Sequence, residues 1–249
     1  MGSTRRRFYL FAMALAFMSP SVLSAQPSPA PAAPAPRFVV VLDAAHGGGD
    51  PGGRLSDGQA EKAFTLALSV RLRSLLAARG IQVVTTRESD ASVDQDRRAE
   101  IANHARAQAC LSLHASDTGS ANSSGAHLFV SSLAPAGPVR FAAWKTAQAS
   151  WVTRSVALAG TLNSALLHAG MTVTLARIAL PAIDSMTCPA VAIEITPESA
   201  KSAGSGQQST GALDDPDYQA RVAEALAAAL LEWRTESWRT EAGHTEARP

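Results

Sequence analysis

Residues Arg37–Gly53 read RFVVVLDAAHGGGDPGG. The apolar, β-branched run Phe38–Leu42 predicts a buried strand over Arg37–Asp43. The Gly-rich loop Ala45–Gly53 follows at once, with His46 near its start. Glycines on the C-terminal side of His46 let the backbone approach other groups closely and free the loop to aim the imidazole. Two further apolar runs end in the same manner: Cys110–Leu113 leads into His114, and Ala190–Ile193 into Glu194. In an open α/β sheet, loops at strand ends present side chains above a rigid floor. Two imidazoles and a carboxylate at three such ends suggest a metal site. Glu61, which opens the helix after the first strand, is the fourth candidate, and the set suggests a zinc hydrolase.

Each of these residues also has a plainer explanation. His46 could be a surface-loop histidine beside a Gly/Pro turn. A carboxylate in the first turn of a helix is favoured by the macrodipole without any function, which would account for Glu61. His114 could be a satisfied core residue. Glu194 lies in PAVAIEIT with strongly apolar neighbours, where an ionised carboxylate needs a partner; Arg87 or Arg98 could supply a salt bridge. Their joint occurrence at one end of the sheet favours metal binding by the histidines and Glu61. Glu194 then reads as the general base that hydrolysis at zinc requires. His104 and His168 fall within helices, His127 at a strand start and His244 in the tail, and none is nominated.

The rest of the chain alternates strands with helices. Helical spacing of Phe64, Leu68, Leu72, Leu75 and Leu76 predicts a helix over Glu61–Arg79, stopped by Gly80. A short strand follows at Ile81–Thr85, a helix at Asp94–Ala107 with Ile101 and Ala105 inward, and strands at Ala109–Leu113 and Ala126–Val130. A long helical region covers about Ala143 to Ala169, then a short strand Thr172–Leu175 and a strand Val191–Ile195. A Gly/Ser/Gln loop at Ala203–Gly211 precedes a closing helix Asp217–Trp233, with Tyr218, Val222, Leu226 and Leu230 on one face; the tail after Arg234 reads as polar and frayed. The expected fold is a single α/β domain with a largely parallel sheet covered on both faces.

At the N-terminus, Arg5–Arg7 precede the apolar run Phe8–Met18, and Ser19–Ala25 supplies small residues up to a cleavage point after Ala25. This is the layout of a secretory signal, too short to span a membrane. TRRRFY also resembles a twin-arginine export signal. QPSPAPAAPAP, residues 26–36, is a Pro/Ala tether. The expected organisation is therefore a signal over 1–25, a linker over 26–36, a catalytic domain over 37–235 and a polar tail over 236–249.

The whole chain carries 22 basic and 21 acidic residues, net +1; without the three signal arginines the balance is −2. No basic stripe marks a nucleic-acid partner. After signal cleavage, no stable membrane insertion is expected, and a monomer is the simplest state. The two cysteines, Cys110 and Cys188, could pair in an exported protein, or Cys110 could be a buried free thiol at the start of its strand.

The ordered set AHGGGDPGG, AEKAFTLAL, DRRAEIANHARAQACLSLHAS, GAHLFV, PAVAIEI and LDDPDYQARVAEALAAAL resembles the zinc-dependent N-acetylmuramoyl-L-alanine amidases of the Amidase_3 family, across nearly all of Arg37–Trp233. The resemblance implies a mixed, mainly parallel sheet of about six strands with helices on both faces. It implies Zn²⁺ held by His46, Glu61 and His114, with Glu194 as catalytic acid/base. It also implies a substrate, peptidoglycan, cut between N-acetylmuramic acid and L-alanine of the stem peptide. Three positions depart from the family pattern. Ala45 replaces the usual Gly before the first histidine, Ser116 replaces an Asn, and Ile195-Thr196-Pro197 replaces a Gly-Phe after the glutamate. None removes a ligand; they bear on the rim of the site.

Two histidines and a glutamate serve a carboxypeptidase or another amidohydrolase equally well, and a wall-binding module without turnover is a third possibility. The segment Ala134–Trp151, with Phe141, Trp144 and Trp151, either anchors the next helix to the core or forms one rim of a substrate groove. It is too short for the complete helical plug that some relatives carry over the zinc, so activity without an activator is expected.

Overall fold

The computed structural model describes residues 37–55, 58–117, 124–137, 143–198 and 212–246. The signal and tether assigned to 1–36, the loop 203–211 and Phe141 lie outside the described residues. In chain order the elements are β1 (Val39–Ala44), α1 (Glu61–Ala78), β2 (Gln82–Thr85), α2 (Gln95–Ala105), β3 (Ala109–Ala115) and β4 (Gly125–Ser131). A 3-10 helix (Trp144–Ser150) follows, then α3 (Val152–His168), β5 (Val173–Ile178), α4 (Pro181–Asp184), β6 (Ala190–Thr196) and α5 (Pro216–Glu246).

The strands form one six-stranded sheet in the order β2-β1-β3-β6-β4-β5. Every neighbouring pair is parallel except β4–β6, which is antiparallel. This is the mixed, mainly parallel α/β sheet expected from the sequence. The chain leaves β1 to one side for β2 and returns on the other side for β3, so the order reverses between β1 and β3. In such sheets, ligands bind outside the carboxyl ends of the strands at that reversal.

One face of the sheet carries Val40, Leu42, Leu111, Leu113, Leu128 and Ile193, buried with residues of α1, α3 and α5. Leu68, Leu72 and Leu76 of α1 and Leu158, Leu162 and Leu166 of α3 supply the i, i+4 stripes. Tyr218, Val222, Leu226 and Leu230 of α5 are fully buried, as their spacing predicts. The other face is covered more thinly, by α2 and α4, around Val41, Cys110, Ala190, Ile183 and Met186. Cys110 and Cys188 form a disulfide that ties the beginning of β3 to the chain entering β6. The free-thiol alternative therefore does not hold.

Three elements differ from their sequence reading. In α2 the buried residues are Arg98, Ala99 and Ala102, while Ile101 and Ala105 are only half-buried. The helix is rotated because the Arg98 guanidinium enters the interior to meet Asp43 at 2.6 Å. The long helical region near Ala143 is broken at Trp151. Gln148 is buried there and donates to the carbonyls of Met186 and Cys188, at 3.0 and 3.1 Å. Its Oε1 accepts from Ser155 at 2.5 Å. Helix α5 continues past Trp233: Ser237 is buried, and Trp238 packs edge-on against Phe38 with Arg234 over its ring. Those contacts order a stretch whose polarity had read as frayed.

Candidate metal centre and active site

The loop after β1 takes an unusual path that places His46. His46 itself has φ of 62°, followed by Gly47 at 129° and Gly48 at 59°. A left-handed conformation costs a non-glycine residue about 1–2 kcal/mol, so the surroundings must hold it. Arg98 does so from below: Nη1 donates to the Ala44 carbonyl and Nη2 to that of His46, both at 2.7 Å. Arg87 donates to the carbonyls of Ala44 and Ala45, at 2.8 and 2.9 Å. Asp43, at 2% exposure, receives Arg98, Thr86 and Ser112 at 2.6–2.7 Å. The loop thus rests on a satisfied buried polar network.

Helix α1 brings Glu61 to the same end of the sheet, and β3 brings His114. The Glu61 carboxylate lies between the two imidazoles: Oε2 is 3.0 Å from His46 Nε2, and Oε1 is 2.9 Å from His114 Nδ1. The backbone N–H groups of Gly53 and Ala115 donate to Oε2 and Oε1 at 2.9 and 3.1 Å. Burial pushes the Glu61 carboxyl up. Hydrogen bonding to His114, Gly53 and Ala115 outweighs it and holds the group below its ordinary range. The rings of His46 and His114 meet edge to face at 5.4 Å. One donor atom from each of His46, Glu61 and His114 lies within 4.8 Å of the others.

This donor set fits a zinc ion: two imidazole nitrogens and a carboxylate oxygen converge from three elements, facing a cleft. The second ring nitrogen of His46 is engaged by Asp50 Oδ2 at 2.8 Å, the kind of outer carboxylate that fixes a metal-binding imidazole. Gly52 seals the arrangement. A Cβ there would stand 2.6 Å from the His46 ring and 2.7 Å from Glu61 Oε2, and its φ of +66° also favours glycine.

Glu194 sits on β6, in register with His114 on one side and His127 on the other. Together with Glu61 and His114 it lines a cleft of about 430 Å³, floored by Phe129, Ala192, Ile178 and Leu180 and flanked by Arg54. The candidate ion-pair partners do not reach it, since Arg98 is spent on Asp43 and Arg87 on backbone carbonyls. Among the described residues Glu194 has no ion-pair partner. It is a half-buried carboxylate facing the cleft, positioned to exchange a proton with a molecule bound there.

All four nominated residues therefore meet at one end of the sheet. Asp50, Asp43, Arg98 and Arg87 were not nominated as parts of the site. Asp50 carried a signal, four residues beyond His46 within the glycine loop; the others are identifiable only from the packed structure. His127, a strand-start residue by its sequence position, is not among the four. It lies on the active face of the sheet, its Nδ1 2.5 Å from Thr174 Oγ1 and its ring stacked on Phe129. His168 binds the Ser164 carbonyl on its own helix, and His104 is exposed on α2.

A mainly parallel α/β sheet with a His–Glu–His cluster at its reversal point, and a further carboxylate in the adjoining cleft, offers the groups that a metal-dependent hydrolase would use. Comparison with known families sharpens this. The N-acetylmuramoyl-L-alanine amidase model of Amidase_3 matches residues 40–232, and the chain belongs to that family. The amidase AmiA of Escherichia coli K12 is 37% identical over 91 residues, 36% of this chain and 32% of that protein. The germination-specific N-acetylmuramoyl-L-alanine amidase of Bacillus subtilis is 32% identical over 105 residues, 36% of this chain and 44% of that protein. The aligned part thus spans less than half the length of these curated relatives. Among solved structures, the catalytic domain of CwlV from Bacillus (Paenibacillus) polymyxa var. colistinus superposes with a TM-score of 0.61 at 27% identity, covering 80% of this chain and 98% of that one. AmiC2 of Nostoc punctiforme shares the fold, with a TM-score of 0.60 at 24% identity, covering 80% of this chain and 97% of that one.

Proposed function

We propose that this chain is an exported, zinc-dependent N-acetylmuramoyl-L-alanine amidase, hydrolysing peptidoglycan between the lactyl group of N-acetylmuramic acid and L-alanine of the stem peptide. The observation that carries the reading is the convergence of His46, Glu61 and His114 beside a cleft-facing Glu194, in a chain of the amidase family. His46, Glu61 and His114 hold the ion. Zn²⁺ bound there supplies Lewis-acid chemistry, polarising the scissile carbonyl and making water more acidic. Glu194 accepts a proton from the attacking water and delivers it to the leaving L-alanine nitrogen as the C–N bond breaks. Asp50 fixes the His46 ring, and the Gly53 and Ala115 N–H groups hold Glu61 ionised.

Export is supported by the basic and apolar N-terminal layout and by the Cys110–Cys188 bond, since disulfides persist in oxidising compartments. Among the described residues no helix is long and apolar enough to cross a membrane. Peptidoglycan is the expected partner and Zn²⁺ the expected cofactor. Purified cell wall digested by the zinc-loaded protein tests the reaction: free lactyl carboxyl groups and new L-alanine amino termini are expected in equal amounts. Cleavage within the peptide instead would indicate a carboxypeptidase or other peptidase. Binding to wall with no hydrolysis under any metal would indicate a binding module.

A further inference from the structure

Cavities lie on both sides of the His46–Glu61–His114 cluster. His114 lines two cavities: the one containing Glu194, and a second of about 370 Å³ that runs past His46 and Asp50 to Asp94 and Gln95. Asp94 in turn also lines a third, of about 570 Å³, bounded by Asp96, Arg97, Glu100, Asn103 and Trp144. The three cavities thus follow one another in a row, His114 standing between the first two and Asp94 between the second and third, from Ile178 at one end to Trp144 at the other.

The chemistry at the two ends differs. On the Glu194 side the floor is apolar, with Arg54 as its cation. At the far end stands an indole that is 43% exposed, beside Asp94 and Asp96, with His104 and the Arg97–Glu100 ion pair (2.6 Å) on the same wall. Trp144 Nε1 donates to Asp96 Oδ1 at 3.1 Å, which fixes the ring on the rim of α2. Asn103 secures that wall from behind, donating to the Ser185 carbonyl at 3.0 Å and accepting from Thr187 N at 2.7 Å. A flat aromatic face held by a carboxylate is suited to a sugar ring: the indole covers the ring's apolar C–H face, and the second oxygens of Asp94 and Asp96, whose Oδ1 atoms serve Arg97 N and Trp144, accept from its hydroxyl and amide N–H groups.

The geometry points to a defined direction for the substrate and to a glycan subsite at Trp144 and Asp96. The direction rests on the amidase reading. Glu194 delivers its proton to the leaving nitrogen, so the departing peptide occupies the Glu194 cleft. The acyl half, which carries the sugar, must then leave the donor set on the opposite side, past His46 and Asp94. The glycan strand therefore runs along the N-terminal end of α2, with one saccharide unit against Trp144.

The test is equilibrium binding of peptide-free glycan oligomers, alternating N-acetylglucosamine and N-acetylmuramic acid, to the zinc-loaded protein. Such oligomers contain no scissile amide, so the measurement is independent of hydrolysis. Trp144→Ala is expected to weaken glycan binding about tenfold, with Trp144→Phe retaining most of the affinity. Asp96→Ala, which frees the indole, is expected to weaken it in the same sense. Affinity for the free stem peptide should fall with Arg54→Ala and hold with Trp144→Ala. Glycan binding that is undetectable in the unaltered protein, or equal in Trp144→Ala, overturns the subsite. If Trp144→Ala instead weakens the peptide while leaving the glycan untouched, the direction is reversed. Wall digestion that shows cleavage inside the peptide removes the amidase reading, whatever the glycan result.

Discussion

Glu61 and Glu194 are both carboxylates in one cleft, and their environments differ. Glu61 is 6% exposed, receives two backbone N–H groups and lies between two imidazoles; Glu194 faces the cavity. Glu194→Gln keeps the shape and removes the basic oxygen. Zinc content should stay stoichiometric by metal analysis while kcat falls by about a hundredfold or more. Loss of zinc together with activity would make Glu194 a ligand. His114→Ala should remove both metal and turnover, since two protein ligands rarely hold catalytic zinc against a chelator. Stoichiometric zinc in an active His114→Ala protein would place the metal elsewhere. Gly52→Ala probes the packing of the donor set: a Cβ 2.6 Å from the His46 ring must displace it, and zinc affinity should drop by about tenfold or more with the fold retained. Unchanged affinity would show that the loop yields at little cost. The residues at strand ends were legible because an ionisable group closing an apolar run is unusual. Asp50 was less so, because aspartate beside glycine is also an ordinary turn former, and Asp43 was not, because its partners Arg98 and Ser112 lie 55 and 69 residues further along the chain.

Elements whose burial follows a single stripe were readable from spacing alone. The i, i+4 leucines of α1 and the Tyr218–Leu230 face of α5 are buried where the pattern places them. The face of α2 was not readable, since an arginine is the residue that turns it inward. The same limit applies at Gln148, a polar side chain whose burial breaks what looked like one continuous helix. In both cases the deciding partner lies far along the chain, Asp43 for Arg98 and Met186 with Cys188 for Gln148. No local window contains the reason. The Arg98–Asp43 pair also predicts a large mutational effect. Arg98→Ala leaves Asp43 buried without its cation and should cost about 3–5 kcal/mol of stability in denaturant unfolding. It should weaken zinc binding as well, since the His46 carbonyl loses its donor. A loss under about 1 kcal/mol would show that water or Ser112 and Thr86 suffice to satisfy Asp43.

At the scale of the molecule, the disulfide joins residues 78 apart in sequence across the junction of β3 and β6. Closing a loop of that length restricts the unfolded chain, and its removal should cost about 2–4 kcal/mol. The paired variant Cys110→Ala with Cys188→Ala should therefore melt at a lower temperature than the unaltered protein. Dithiothreitol should lower the melting temperature of the unaltered protein alone. Equal sensitivity in both would mean that the reductant acts on something other than this bond.

The last strand in the sequence is not at an edge of the sheet: β6 lies between β3 and β4. Until residues 190–196 arrive, β3 and the β4–β5 pair have no strand joining them, and Glu194 is not beside His114. The pairing of Glu194 with His114 is thus coupled to the closure of the sheet and waits for β6. A nascent chain that stops before β6 holds the His46–Glu61–His114 segment but lacks Glu194, the residue proposed to carry the proton. For a protein proposed to cut cell wall, this chain order acts in time: the carboxylate proposed to carry the proton joins the His–Glu–His cluster only after β6 has been made and has paired with β3.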